Sequence, residues 1–118
     1  MSEVDEYFEM AFKEAYHSVR NNIGGPFGAV VVKDGRIIGK GGNMVISSHD
    51  PTAHAEIVAI RDACQNLGTF DLSGSVIYAT CEPCPMCFAA IYWANINRVY
   101  YSQTKLDAAS IGFRDNHI

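Results

Sequence analysis

Two short segments of this 118-residue chain concentrate side chains able to do chemistry. One is His54-Ala55-Glu56; the other is Cys81-Glu82-Pro83-Cys84-Pro85-Met86-Cys87. His54, Cys84 and Cys87 offer one nitrogen and two thiolates, a donor set suited to zinc. Three protein ligands leave the fourth tetrahedral position open, the arrangement of a catalytic rather than a structural site. One Zn2+ per chain is therefore the expected cofactor. Zinc lowers the pKa of bound water from about 15.7 to roughly 7. Glu56 is the expected proton shuttle, since a nearby carboxylate can take that proton and deliver it to a reacting group.

Other readings of the cysteines have distinct requirements. A lone Cys-x-x-Cys can be a redox dithiol, but the paired His-x-Glu favours metal. A structural zinc knot needs a fourth ligand, for which Cys81, His49, His17 and His117 are the candidates. Cys81 is expected to end a strand and point elsewhere, and His17 and His49 read as surface residues. Cys64 stands apart in an apolar helical pattern and reads as a core residue. Glu82 is expected to pair locally rather than act in catalysis.

The ligands must be positioned by the elements around them. Phe8, Ala11, Phe12, Ala15 and Val19 predict an amphipathic helix over about residues 5–21, ended by Gly24-Gly25-Pro26. Residues 27–32 and 36–39 flank the turn signal Lys33-Asp34-Gly35 and predict a β-hairpin. Gly41-Gly42-Asn43 departs from strand chemistry and predicts a close backbone approach. Asp50 as N-cap and Pro51 at the first helical position open a predicted second helix with a stripe of Ile57, Ile60, Cys64 and Leu67. Gly68 ends it.

Residues 76–80 predict a third strand, and residues 98–102 a fourth. A helix built on Met86, Ala89, Ala90 and Trp93 runs between them, and residues 107–111 suggest one further helical turn. Both ligand segments fall at helix starts, where partial positive charge favours thiolate. Residues i and i+2 of a regular helix point to nearly opposite sides, so His54 must sit in an irregular first turn or at the helix end. The order α-β-β-α-β-α-β-α predicts one α/β domain over residues 1–118, with helices covering a mixed sheet. Parallel right-handed crossovers are the simplest links between the last three strands.

Composition narrows the class. Hydrophobic residues make up 48% and charged residues 19%, a globular profile. No apolar run approaches the roughly 18 residues of a membrane span, and the acidic N-terminus lacks signal-peptide character. No membrane association and a cytoplasmic location are expected. Nine basic against thirteen acidic residues give a net charge of −4. That balance disfavours a nucleic-acid polymer as partner, which would call for a basic patch.

The pattern His-x-Glu with Pro-Cys-x-x-Cys resembles the signature of zinc-dependent nucleobase deaminases. Within that superfamily the chain is similar to the bacterial-type guanine deaminases. The similarity lies in Gly24-Gly25-Pro26-Phe27-Gly28, Asp50-Pro51-Thr52-Ala53-His54-Ala55-Glu56, the cysteine segment, Tyr92-Trp93-Ala94 and Gly112-Phe113-Arg114-Asp115. The resemblance implies a three-layer α/β/α cytidine deaminase-like fold with a mixed central sheet. It also implies a small-molecule purine substrate and a homodimer. Relatives continue beyond the position of Ile118 with a further strand, a helix and a lid, which are expected to be missing from this chain.

By the same resemblance, Asn43 and Asp115 hydrogen-bond the base while Phe27 and Trp93 line its pocket. Water is then expected to attack C2 of guanine as Glu56 protonates N3, giving xanthine and ammonia. Three alternatives stand beside this reading. They are a tRNA adenosine deaminase, a deaminase of another small amine such as guanosine, cytosine or an aminotriazine, and a non-catalytic zinc scaffold.

Overall fold

The computed structural model describes residues 3–103. Its elements are α1 (Glu3–Arg20), β1 (Gly28–Lys33), β2 (Arg36–Gly42), α2 (Val45–Ser48), α3 (Ala55–Leu67), β3 (Ser75–Cys81), α4 (Pro85–Trp93) and β4 (Arg98–Gln103). The sheet order is β2-β1-β3-β4. β1 is antiparallel to both β2 and β3, and β3 is parallel to β4. The expected mixed sheet is present. The last three strands do run in one direction, but β1 lies between β2 and β3, so only β3 and β4 are parallel neighbours.

The hairpin turns through Asp34 and Gly35, both at positive φ, which is the two-residue geometry that suits the right-handed twist of paired strands. Strand alternation then divides the sheet into two faces. Val30, Val32 and Tyr78 meet Tyr7 of α1 on one side. Ala29, Val31, Ile77 and Ala79 share the other with Ala59 and Ala63 of α3 and Ile91 of α4. Helix, sheet and helices thus form the three expected layers.

The helices bury different stripes from those their largest side chains suggest. On α1 the buried residues are Tyr7, Ala11, Ala15 and Ser18, whereas Phe12 and Val19 are exposed. On α3 they are Ala55, Glu56, Ala59 and Ala63. Ile60 and Cys64 are only partly buried, and Leu67 is exposed. On α4 they are Cys87 and Ile91, not the expected Met86, Ala89, Ala90 and Trp93.

Glycine explains the rotation for α1 and α3. A Cβ on Gly28 would meet the backbone of Ala11 and Ala15, and one on Gly39 would meet Ala59 O at 2.6 Å. Gly41 and Gly42 belong to β2 rather than interrupting it, and press on Val58 and Glu14 in the same way. Small residues therefore face the sheet at close range, and the large ones flank the contact.

Two boundaries also differ. α1 ends earlier than Gly24, where Asn22 adopts φ 54°. The second predicted helix begins at Ala55, not at Pro51. Asp50 instead accepts hydrogen bonds from Thr52 N–H at 2.9 Å and Thr52 Oγ1 at 2.7 Å, closing a local turn that competes with helix initiation. The short α2 was not expected from the sequence. The predicted turn at 107–111 lies outside the described residues. No helix among the described residues is long and apolar enough to cross a membrane.

Candidate metal centre and active-site cavity

Each ligand segment enters its helix through an extended residue. His54 is the N-cap of α3 at φ −67°, ψ 158°, and Cys84 is the N-cap of α4 at φ −72°, ψ 169°. The i, i+2 conflict between His54 and Glu56 is resolved here. His54 lies outside the helical spiral, its side chain takes no part in capping, and Glu56 sits in the first turn. On the other helix, Pro85 occupies the first turn, where its missing N–H costs nothing, and Cys87 follows one residue after Met86.

The three donors converge. His54 Nδ1 lies 3.6 Å from Cys84 Sγ and 3.6 Å from Cys87 Sγ. All three ligand atoms fall within 4.8 Å of one another. Zn–S bonds of about 2.3 Å and a Zn–N bond of about 2.05 Å at the tetrahedral angle require an N···S separation of about 3.5 Å. The observed spacing matches that edge, so these residues fit zinc in both chemistry and distance.

Electrostatics agree with a metal-ready thiolate. Hydrogen bonding from Cys87 is the main cause that lowers the Cys84 thiol from 9.0 to about 3, with His54 adding to it against the opposing effect of burial. Cys64, by contrast, is raised by burial and lies away from the cluster. No cysteine other than Cys84 and Cys87 joins the metal group among the described residues. Cys81 ends β3 as expected and is buried at the cavity, outside the ligand set. His49 is exposed at the end of α2 in a left-handed conformation, and His17 is exposed on α1 beside Asn21. Neither supplies a fourth ligand, and His117 lies outside the described residues.

A cavity opens beside the cluster. Phe27, Asn43, Glu56, Thr80, Glu82 and the ligands His54 and Cys84 are among its lining residues. Glu56 is 8% exposed, an acid held in the interior at the same helix end as the metal ligand. Asn43 is buried, and its N–H donates to the Phe27 carbonyl at 3.0 Å, which ties these two lining residues together.

The structure therefore brings together His54, Cys84, Cys87, Glu56, Asn43 and Phe27. It does not bring Trp93 to them. Trp93 is 75% exposed and absent from the cavity wall, because the buried stripe of α4 runs through Cys87 and Ile91. Asp115 lies outside the described residues. Thr80 and Glu82 border the cavity without having been singled out as substrate contacts. Strand alternation from Ile77 and Ala79 could have flagged Cys81, but a threonine before the cysteine segment reads as an ordinary strand former.

Comparison with known proteins agrees with this arrangement. The chain is 51% identical over 114 residues to guanine deaminase of Bacillus subtilis, an alignment that covers 97% of this chain and 73% of that protein. The solved structure of that guanine deaminase superposes with a TM-score of 0.91, covering 95% of this chain and 71% of the other. A tRNA-specific adenosine deaminase of Agrobacterium fabrum is 48% identical over 102 residues, covering 86% of this chain and 66% of that one. A guanine deaminase structure from Nitrosomonas europaea superposes with a TM-score of 0.86 at 29% identity, covering 92% and 63%. Residues 1–103 match the cytidine and deoxycytidylate deaminase zinc-binding region, and with its ligand triad in place the chain belongs to this family of zinc-dependent deaminases.

Proposed function

We propose that this chain hydrolyses guanine to xanthine and ammonia, with Glu56 as the proton shuttle. The observation that carries the reading is the interior carboxylate of Glu56 in the first turn of α3, beside a cavity bounded by His54 and Cys84. When bound, zinc supplies the Lewis acidity that makes water a nucleophile near neutral pH. Glu56 accepts a proton from the attacking water and delivers one to N3 of the base. As the C2–N bond breaks, it takes the proton of the new C2 hydroxyl, which becomes the carbonyl, and passes it to the departing amine. One water enters and one ammonia leaves.

The remaining side chains orient the base. Phe27 offers an apolar wall to a purine ring. Asn43 Oδ1 accepts from Val45 N–H at 3.0 Å, which leaves the amide NH2 to donate to a base acceptor. Asp115 would accept from guanine N–H groups. His54, Cys84 and Cys87 would hold the zinc.

Guanine is favoured over a tRNA adenosine by the chain's similarity to the Bacillus enzyme and by the cavity lining. Among the described residues no Lys or Arg borders the cavity, so nothing there would grip a phosphate. The tRNA reading is kept alive by the 48% identity to the Agrobacterium enzyme.

Ammonia release by zinc-loaded protein, measured side by side on guanine, guanosine, cytosine, adenine and tRNA, separates these readings. Turnover of guanine alone, abolished by a chelator, is expected; turnover of tRNA alone would overturn the proposal. Silence on every substrate with zinc bound would favour a non-catalytic scaffold. Glu56→Gln should retain zinc and lose turnover by at least about 100-fold, the low end for a general acid–base group. Retained turnover would remove Glu56 from the mechanism.

A further inference from the structure

Thr80 sits where the pairing of β1 with β3 stops. The last paired residues are Ala29 and Ala79, and beyond them the Gly28 N–H donates to Thr80 Oγ1 at 3.1 Å in a buried setting. Thr80 itself is 2% exposed. The next residue back along the chain is Phe27, whose carbonyl accepts from Asn43 N–H at 3.0 Å. Asn43 is held from two further sides. Its Oδ1 accepts from Val45 N–H, and Gly24 backs so closely onto Asn43 that a Cβ on Gly24 would collide with it.

We propose that Thr80 is a positioning residue for the substrate. Its hydroxyl pins the end of β1 at Gly28 and, through Phe27 and Asn43, fixes the part of the cavity wall that meets the base. This rests on the reading of Phe27 and Asn43 as substrate contacts. β2 still pairs with Gly28 through Gly42, but on the β3 side the ladder has no further rung. The Thr80 hydroxyl is therefore the acceptor that holds Gly28 N–H against β3. Thr80 does not itself exchange protons with the substrate. Its effect falls on binding, which raises KM and leaves kcat nearly unchanged when ground state and transition state lose the same contact.

The test compares Thr80→Val, which keeps the branched shape but removes the acceptor, with Thr80→Ser, which keeps the hydroxyl. In zinc-loaded protein with guanine, Thr80→Val should raise KM about tenfold, the scale of a modest misplacement of a binding wall. Its zinc content and kcat should stay within about twofold, since uniform binding is what is lost. Thr80→Ser should bring KM back towards the parent value.

Backbone amide exchange, read without substrate, makes the result independent of the substrate assignment. Thr80→Val should speed exchange at Gly28 and Asn43, and Thr80→Ser should restore protection. If the parent protein does not turn over guanine, the substrate reading fails, and the exchange rates decide whether Thr80 pins the wall. An unchanged KM in Thr80→Val with active parent, a Thr80→Ser variant as impaired as Thr80→Val, or unchanged exchange at Gly28 and Asn43 would each overturn the proposal.

Discussion

The hairpin β1–β2 and the α4–β4 side of the sheet are built in opposite ways. Around the hairpin, helices rest on strands through Gly28, Gly39, Gly41 and Gly42, and the contact residues are Ala11, Glu14, Ala15, Ser18, Val58, Ala59 and Ala63. Along α4 and β4, the outward surface carries Phe88, Tyr92, Trp93, Tyr100 and Tyr101, all exposed. Behind it the anchors are few: Cys87 and Ile91 of α4, and Ala94 and Ile96 after it. One side is located by atoms it cannot admit, the other by a small number of buried side chains and two metal ligands. The hairpin should therefore be self-sufficient, whereas α4 should depend on the ion.

Chelation tests that difference most strongly. At free zinc a thousandfold above Kd, the ion contributes about 4 kcal/mol to stability by mass action. Removing it should lower the denaturation midpoint and raise amide exchange in the first turns of α3 and α4, while β1 and β2 keep their protection. Equal loss of protection on both sides would show that the hairpin leans on the metal as well.

The converse experiment overfills the hairpin. Gly28→Ala places a Cβ against the backbone of α1, where no side-chain rotamer can yield, and should cost about 3 kcal/mol, the upper end for overpacking. Gly35→Ala is the control. Gly35 has φ 75° but nothing within 4 Å of the added Cβ, so only backbone strain remains, about 1 kcal/mol. Urea midpoints of the two variants measure the gap. Similar costs would mean that close approach does not govern this side.

That packing also explains what could be read from the sequence. The ligand triad was legible because metal chemistry restricts both residue type and spacing, and the place of Glu56 at the cavity because it lies two residues from His54. The strands and the hairpin turn were legible because β-branched runs and Asp34-Gly35 act locally. Ala11 and Ala15 of the α1 stripe were legible too, although Phe12 and Val19 beside them are exposed. The α3 stripe was not, since periodicity weighted by side-chain size selects Ile57, Ile60, Cys64 and Leu67 over Ala59 and Ala63. The information lay in glycines on partner strands, which is a tertiary relation. Asp50-Pro51 misled for a local reason: the same side chain that caps helices can close a turn with Thr52.

A smaller effect is expected from the loop that joins the two regions. Asp71 Oδ1 accepts from Ser73 Oγ, from Ser73 N–H at 3.0 Å and from Asn95 Nδ2 at 3.1 Å, linking the approach to β3 with the turn after α4. The Ser73 side chain is the main cause that holds its carboxyl below the usual 3.8, with Asn95 next. A carboxylate depressed in the folded state adds stability that is present above its unfolded pKa and is lost as pH falls through the folded value. The difference in Tm between the parent and Asp71→Ala should be constant above about pH 5 and vanish in stronger acid. A difference that persists below the carboxylate range would assign the effect to packing instead of charge.

The smallest effect is expected at Trp93, and it bears directly on where the wall of the cavity ends. Its ring meets Tyr92 edge-on at 5.6 Å, and both side chains are exposed. An exposed aromatic with no buried partner contributes little, so Trp93→Ala should change stability by no more than about 0.5 kcal/mol. Trp93 is the single tryptophan of the chain, so its fluorescence reports this position alone. Acrylamide should quench it nearly as readily as a free indole, and saturating guanine should leave that quenching unchanged. Protection by guanine would place the indole against the base and extend the substrate wall onto α4. Without protection, α4 is left out of the wall, and among the described residues the base is oriented from the hairpin side, where Phe27 and Asn43 are held by backbone hydrogen bonds.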